Sequence, residues 1–595
     1  MALPAQIIGL PPALLFIGGA MLIPLLKGGM KSSFMLLLPA LAIVILMSTP
    51  NGSYWHFQIL GNELILSRID SLSRVFGYIF CIVMLLGIIF ALKIDDNLQY
   101  CSAFAYAGSA LGVSFAGDVF SLYVFWEIMA VASAFLILAR RTRASQAAGM
   151  RYILVHIVGG LCLLAGLILY VNRSGSTEFS FVGLTSIDSL LIFLGIAVNA
   201  AIPPLHPWLS DAYPEATIPG AVFLSAFTTK SAVYCMARMF PGTELLIWLG
   251  AVMTAIPIFY AVLENDIRRV LAYSLINQVG FMLCGIGIGT ALAINGTVAH
   301  AFCHIIYKAL LFMAAGSVLH VTGKIRCTDL GGLYKTMPLT CLFCMIGAAS
   351  ISAFPLISGF ISNSMIISAA AHHKLVAVWL ILQFASAGVF HHAGIKVPYF
   401  MFFGHDSGIR AQEPPRPMLV AMGIAAFLCV FLGIYPYPLY SILPYPVDYL
   451  PYTGAHVVGQ LQLLLFGALA FCLLILSGYY PAELRAINLD TDWFYRMFAL
   501  RFYRLAERLL DTINRMGEKV FVDGLAAKSA AWAEKGGADV LVLLMQPLWN
   551  MRQLSDARRE QLKVRLHGLI SNAVVPLGIS VAAVLILLSG LYFFH

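Results

Sequence analysis

The stretch HAFCHIIYK, residues 300–308, decides how this chain is read: His300, His304 and Lys308 recur every fourth residue, and Lys308 is the only Asp, Glu, Lys or Arg between Arg269 and Lys324. At about 1.5 Å and 100° per residue, the three positions form one narrow stripe about 12 Å long on a helix. The surrounding run is long enough to span a bilayer. There a single ionisable group costs roughly 2.5–3.5 kcal/mol on insertion scales, so it faces a partner or a wet path. One reading of the stripe is structural: three buried polar groups that hydrogen-bond neighbouring helices. The other is a proton relay, because histidine titrates near neutral pH. Two histidines and a lysine in register favour the relay.

Outward from this stretch, the composition is that of a polytopic membrane protein. The 595 residues are 60% hydrophobic and 11% charged, with a mean hydropathy of +0.88, and apolar runs of span length recur almost end to end. One large all-α bundle is a simpler organisation for such a chain than several soluble domains. The apolar segments predict about sixteen transmembrane helices, the first near 5–26 and the last near 572–594. The first lacks a basic n-region and has prolines at 11, 12 and 24, so it is expected to be a retained helix and not a cleaved signal. Loops after odd-numbered spans carry most of the basic residues, including Arg140, Arg141, Arg143, Arg268 and Arg269. The positive-inside rule makes those loops cytoplasmic and places both termini outside. Cys341 and Cys344 form a C-x-x-C within a predicted span, with no second pair nearby, and read as core. No nucleotide loop, zinc signature or haem motif is visible; no cofactor, metal or nucleic-acid partner is expected.

Residues 481–570 differ in kind. They hold 14 Lys/Arg and 11 Asp/Glu, so 25 of the chain's 64 such residues fall here. In DTDWFYRMFALRFYRLAERLLDTINRMGEKV, apolar residues such as Trp493, Phe494 and Met497 separate from Arg501, Arg504, Arg508 and Arg515 at helical spacing. An amphipathic helix along the cytoplasmic surface is expected, resting on lipid headgroups or strapped to other subunits. Gly517, Gly524, Gly536, Gly537 and Pro547 argue against one unbroken rod.

Other isolated charges lie in the spans. Glu127 in VFWEIMAVASAF is alone from 119 to 139, and Lys230 in FLSAFTTKSAVY is alone from 216 to 237. Lys396 follows His391 and His392 near the end of another span. Glu127 and Lys230 form either a structural ion pair or a switch, since an opposite charge within about 4–6 Å moves a carboxylate pKa by 1–3 units. Two helices are expected to be broken. One carries Pro203, Pro204 and Pro207 beside Asn199 and His206; the other carries Pro355 and Gly359 beside Asn363. Broken backbone within a bilayer is tolerated only where it is buried in protein or lines a wet cavity. Two such breaks in corresponding parts of a chain point to inverted repeats with ion sites at the breaks.

These features together resemble the antiporter-like subunits shared by Mrp-type sodium/proton antiporters and respiratory complex I. The resemblance rests on VFWEIM, PPLHPWLSDAYPEAT leading into TTKSAVY, RRVLAYSLINQVGFM, HAFCHIIYKALLFMAAGSV and FPLISGFISN, across about residues 70–410. It implies a fourteen-helix core with two inverted five-helix repeats and a central line of charged residues. By position, Glu127 matches the family's helix-5 glutamate, Lys230 its helix-8 lysine, and His300, His304 and Lys308 its helix-11 relay. LDTDWFYR is similar to an extension of D-type antiporter relatives, and a lateral helix followed by an anchor resembles the distal subunit of complex I. Two departures stand out: Asn199 and Asn363 occupy places where the family usually has lysine. An amide does not titrate near neutral pH, so Lys230 is left to pair more permanently with Glu127, or Asn199 binds water or a cation instead.

The organisation implied is N-terminal helices in 1–97, repeats in 98–240 and 244–404, core helices in 405–480, the amphipathic segment in 481–570 and a terminal anchor in 571–595. The function implied is ion translocation within a multi-subunit Mrp-like cation/proton antiporter of a prokaryotic inner membrane, in contact with other membrane subunits, lipid, protons and sodium or potassium. Protons would pass from Glu127 by Lys230 to the stripe and leave near Lys396 and His391. The alternatives are a proton-pumping subunit of a complex I-like dehydrogenase or membrane hydrogenase, and a scaffold that has lost transport.

Overall fold

The computed structural model describes residues 9–59, 61–486 and 488–571. The chain divides into two compact units, Met1–Asp492 and Trp493–His595. The larger unit is a helical bundle whose centre is set by composition. Ile267–Ile288 and Ala291–Thr322 have 94% of their span-length windows buried in protein, whereas Gly454–Leu476 has 11%. The buried pair carries Ser274, Asn277, Gln278, His300, His304 and Lys308, while Gly454–Leu476 has no charged residue and exposes leucines. Polar side chains thus sit where helices, not lipid, surround them. Glycines permit the closest approaches. A Cβ on Gly250 would lie 2.7 Å from the Gly280 carbonyl oxygen, and one on Gly280 would lie 2.8 Å from that of Gly250, so Glu244–Leu263 and Ile267–Ile288 meet backbone to backbone.

Among the described residues, ten helices are long and apolar enough to cross a membrane, and three shorter apolar helices accompany them. The count differs from sixteen in part because several expected spans are carried by two short helices. Ile187–Ala200 ends at Ala201 (φ 57°), and the chain resumes helix at Pro207–Ala212. Trp208 Nε1 reaches back across this break to the Val198 carbonyl oxygen at 2.9 Å. Pro338–Ile351 and Ser358–His372 flank the second break, where Gln460 Nε2 donates to the Ser352 carbonyl oxygen at 3.1 Å. A third interruption, which no proline announces, separates Ile218–Ala226 from Thr228–Met239 at Phe227. Tyr106 stabilises it: its hydroxyl accepts from the Thr228 amide at 2.9 Å and pairs with Thr228 Oγ1 at 2.6 Å. Val376–Val389 continues into π-helical turns at Phe390–Lys396 and Tyr399–Phe403.

The expectation of an all-α chain is corrected by a β-hairpin, Gly52–Ile59 paired antiparallel with Asn62–Ile69. Asp118 fixes it to the bundle, accepting from the Ile65 amide at 2.7 Å while capping Val119–Leu138 through the Phe120 and Ser121 amides. In the smaller unit, Asp492–Gly517, a π-helical turn at Glu518–Ala526 and Ala527–Met551 follow without a break, so the glycines and Pro547 do not stop the helix. The π-helical stretch begins directly after Gly517 and contains Gly524. Asp556–Ser571 follows. The terminal anchor expected near 572–594 and the start of the first span, residues 5–8, lie outside the described residues.

A buried line of titratable side chains

The stripe of Ala291–Thr322 is wholly buried, and each member has a different surrounding. His300 Nε2 lies 3.1 Å from Gln278 Oε1, which also accepts from the Tyr307 hydroxyl at 2.8 Å. With that oxygen as acceptor, His300 carries its proton on Nε2, and Nδ1 accepts from Ser362 Oγ at 3.1 Å. Gln278 is held in turn by Asn277, 2.9 Å away, whose Nδ2 donates to the Thr254 carbonyl oxygen. His304 stands 6.2 Å from His300 and 5.2 Å from Tyr307 between ring centres, and among the described residues neither of its ring nitrogens has a hydrogen-bond partner. Lys308 Nζ donates to Ser274 Oγ at 2.9 Å.

Lys230 follows the Phe227 interruption, and its Nζ donates to the Ser225 carbonyl oxygen at 2.7 Å and to Thr229 Oγ1 at 3.1 Å. It acts electrostatically on His300, His304 and Lys308. On the far side, His392 is coupled in the same way to both Lys308 and Lys396. Lys230, the three stripe residues, His392 and Lys396 are thus all buried and near enough for their charges to act on one another.

Glu127 is half-buried on Val119–Leu138. Gly160 makes room for it, because a Cβ there would lie 2.1 Å from Glu127 Oε1. Tyr123 lies beside the carboxylate, whose Oε1 has no hydrogen-bond partner among the described residues, and Glu127 lines an apolar opening of about 530 Å³ with Ile17, Met21 and Cys101. Among the described residues no ion pair joins Glu127 to Lys230; the tight pair expected from the sequence is absent because Lys230 is turned to Ser225 and Thr229. Asn199 occupies the last turn before the first break, buried, and among the described residues neither of its side-chain polar atoms has a partner. Asn363 lies in the second turn after the other break and lines a cavity of about 560 Å³ with Ser364, His456 and Gln460. His391, expected at the exit, packs its ring on Phe471 and Tyr480.

Lys396 is held by groups that sequence reasoning missed. Its Nζ donates to the Val262 and Glu264 carbonyl oxygens at 2.6 and 2.7 Å and lies 2.8 Å from Glu483 Oε1. His206 faces Asp490 at 3.3 Å. Both carboxylates come from the irregular segment that follows Gly454–Leu476. Burial pushes the Glu483 carboxyl up, and the opposing charge of Lys396 only partly offsets this. Burial acts on Asp490 in the same sense, but His206, the Thr491 amide and the Tyr273 hydroxyl together hold it below its ordinary range. His156 was also overlooked. It lies one turn before Gly160, stacked on Tyr152 at 3.9 Å, with Nε2 unpartnered among the described residues. Its only sequence signal was a lone histidine in a span. Among the described residues no group of three His, Cys, Asp or Glu is placed to hold a metal ion.

Fold and site define a helical membrane protein that buries a set of titratable groups, three of them on the unbroken Ala291–Thr322 and Lys230 and Lys396 on irregular helices. The chain belongs to the NADH:quinone oxidoreductase/Mrp antiporter transmembrane family, which it matches over residues 116–388. It is 30% identical over 354 residues to the D-type component of an Na⁺/H⁺ antiporter from Alkalihalophilus pseudofirmus, covering 56% of this chain and 71% of that one. It is also 30% identical over 425 residues to the A/B-type component of a probable K⁺/H⁺ antiporter from Rhizobium meliloti, covering 65% and 42% respectively. A chain of the membrane-bound sulfane sulfur reductase, an archaeal respiratory membrane complex, superposes with a TM-score of 0.66 at 26% identity, covering 76% of this chain and 98% of that one. The chain spans 42–62% of the length of its longer relatives.

Proposed function

We propose that the chain is an ion-translocating subunit of a multi-subunit Mrp-like monovalent cation/proton antiporter in a prokaryotic inner membrane. The observation that carries this reading is the buried sequence Lys230, His304, Lys308, His392 and Lys396, on helices interrupted beside Lys230 and π-helical up to Lys396. Protons taken up at Glu127 pass by His156 and Lys230 to the stripe, and by His392 to Lys396. Water at the unpartnered His304, His156 and Asn199 atoms would complete the path, since unpaired buried polar groups are costly and normally solvated. Lys230 and Lys396, each on an irregular helix, support two inverted five-helix repeats in 98–240 and 244–404, and the basic residues in the loops after odd-numbered spans support termini outside. Sodium or potassium is the counter-ion, and other membrane subunits complete the assembly.

The likeness to a respiratory membrane complex favours a second reading, a redox-driven pump built on the same line. The two differ in what drives the relay and share Lys308. Replacing Lys308 with Met should abolish proton-coupled transport by the assembled complex in proteoliposomes, with assembly intact. Undiminished transport in that variant would leave the stripe a structural network.

A further inference from the structure

The segment after Gly454–Leu476 returns two carboxylates into the bundle, and neither sits on a spanning helix. Glu483 Oε1 lies 2.8 Å from Lys396 Nζ, with side-chain exposures of 8% and 0%. Asp490 accepts from the Tyr273 hydroxyl at 2.9 Å and faces His206 at 3.3 Å beside the first break. Neighbours fasten the segment at several points. Arg485 pairs with Asp329, Asn488 Nδ2 donates to Glu264 Oε2 at 3.3 Å, and Thr491 Oγ1 donates to the Pro204 carbonyl oxygen at 3.0 Å. Burying a carboxylate costs several kcal/mol before its partner repays part of it, so two such insertions are not explained by stability alone.

Lys396 has no contact with solvent, so a proton leaving it needs a neighbour nearer the surface; the Glu483 carboxylate oxygens are shielded as well, but its side chain is 8% exposed and it directly precedes the exposed Leu484. We propose that Glu483 is that neighbour: the terminal carrier of the ion path, held in place by the segment that Asp490 anchors at the other end. This rests on the relay reading of Lys396. In the step, one N–H bond of Lys396 breaks and an O–H bond forms on Glu483, converting an ammonium–carboxylate pair into a neutral amine and carboxylic acid. Glu483 then releases the proton to water, and Lys396 is reprotonated from the His392 side. The pair is net neutral before and after the transfer, and reprotonation of Lys396 balances the charge left on Glu483 when its proton departs.

The test uses the assembled complex in proteoliposomes. Glu483→Gln keeps the shape and a hydrogen-bond acceptor for Lys396 but cannot carry the proton, so transport should fall at least tenfold at unchanged assembly. Glu483→Asp should retain transport with its pH profile displaced. The groups facing Glu483 in that profile are Lys396, Glu264, Tyr480 and Cys327. Lys308→Met is run in parallel. Transport kept in Glu483→Gln and lost in Lys308→Met overturns the Glu483 step alone. Transport kept in both overturns the relay reading and the step with it. Should Glu483→Gln fail to assemble, an assembled Glu483→Asp complex with an unaltered pH profile overturns the step.

Discussion

The Glu127 site and the hydrogen-bonded network of His300 handle buried polarity in opposite ways, although His304, one turn beyond His300, has neither ring nitrogen partnered among the described residues. Around His300, every polar atom is answered: Ser362, Gln278, Tyr307 and Asn277 form a closed hydrogen-bonded set inside helices almost wholly buried in protein. Around Glu127, the partners are one tyrosine, a gap left by a glycine and an apolar opening. A closed set shares its load, and losing one neutral hydrogen bond there removes about 0.5–1.5 kcal/mol. A sparse site has nothing to substitute for its one carboxylate. The sharpest way to break this comparison is to change one residue of each. Glu127→Gln should lower proton-coupled transport by about two orders of magnitude, the range of a lost positioned proton carrier. Ser362→Ala should lower it by no more than about tenfold, matching a neutral hydrogen bond. Equal losses in reconstituted complexes would show that the two regions do not differ in redundancy.

A smaller effect is expected where the sparse region is only displaced. Gly160→Ala puts a Cβ at 2.1 Å from Glu127 Oε1, yet the atom it meets is the far end of a flexible side chain, so the fold adapts and the carboxylate swings away. Assembly should be normal and transport reduced by less than the roughly 100-fold that a 1 Å misplacement can cost, because the displaced carboxylate is still present to carry the proton. Unaltered transport would mean that Glu127 functions in several positions.

Much of this was legible in the sequence, for definite reasons. Lys308, Lys230, Glu127 and Lys396 stand out because a charge in an uncharged span is rare, and Pro203, Pro204, Pro207 and Pro355 mark two breaks because proline lacks an amide donor. The break at Phe227 has no such marker; a tyrosine hydroxyl on Asn97–Phe115 supports it, far away in sequence. The hairpin at 52–69 carries only weak alternation over a short stretch. Glu483 and Asp490 were hidden in a charged segment that reads as solvated, and only the path of the chain brings them to Lys396 and His206. Asn199 and Asn363 lie beside their breaks, but the tight Glu127–Lys230 pair inferred from the missing lysines does not form.

The smallest expected effect on transport concerns what keeps the sparse region in place. Asp70 caps Ser71–Ala91 through the Ser73 amide at 2.8 Å, and its carboxylate receives two hydrogen bonds from Arg238 Nη2, at 2.8 and 2.9 Å, tying this helix to the one that carries Lys230. Burial pushes the Asp70 carboxyl up, but Arg238, the Ser73 amide and Arg68 outweigh it, so the group sits below its ordinary range. A carboxylate depressed in the folded state stabilises the fold above its unfolded pKa, and that contribution disappears as pH falls through the folded value. Asparagine caps a helix as well as aspartate does, so Asp70→Asn keeps the bond to the Ser73 amide and removes only the charge, and with 36% of the side chain open to solvent screening holds that ion pair to less than about 1 kcal/mol. Asp70→Asn should therefore lower the thermal unfolding temperature of the detergent-solubilised protein at pH 7 and leave transport within about twofold, the scatter of a change remote from the path. The gap between variant and parent should close as the medium is acidified below the carboxylate range. A gap that persisted there would show that Asp70 acts by packing, and a large transport loss at pH 7 would mean that the rim of the Lys230 helix takes part in the relay.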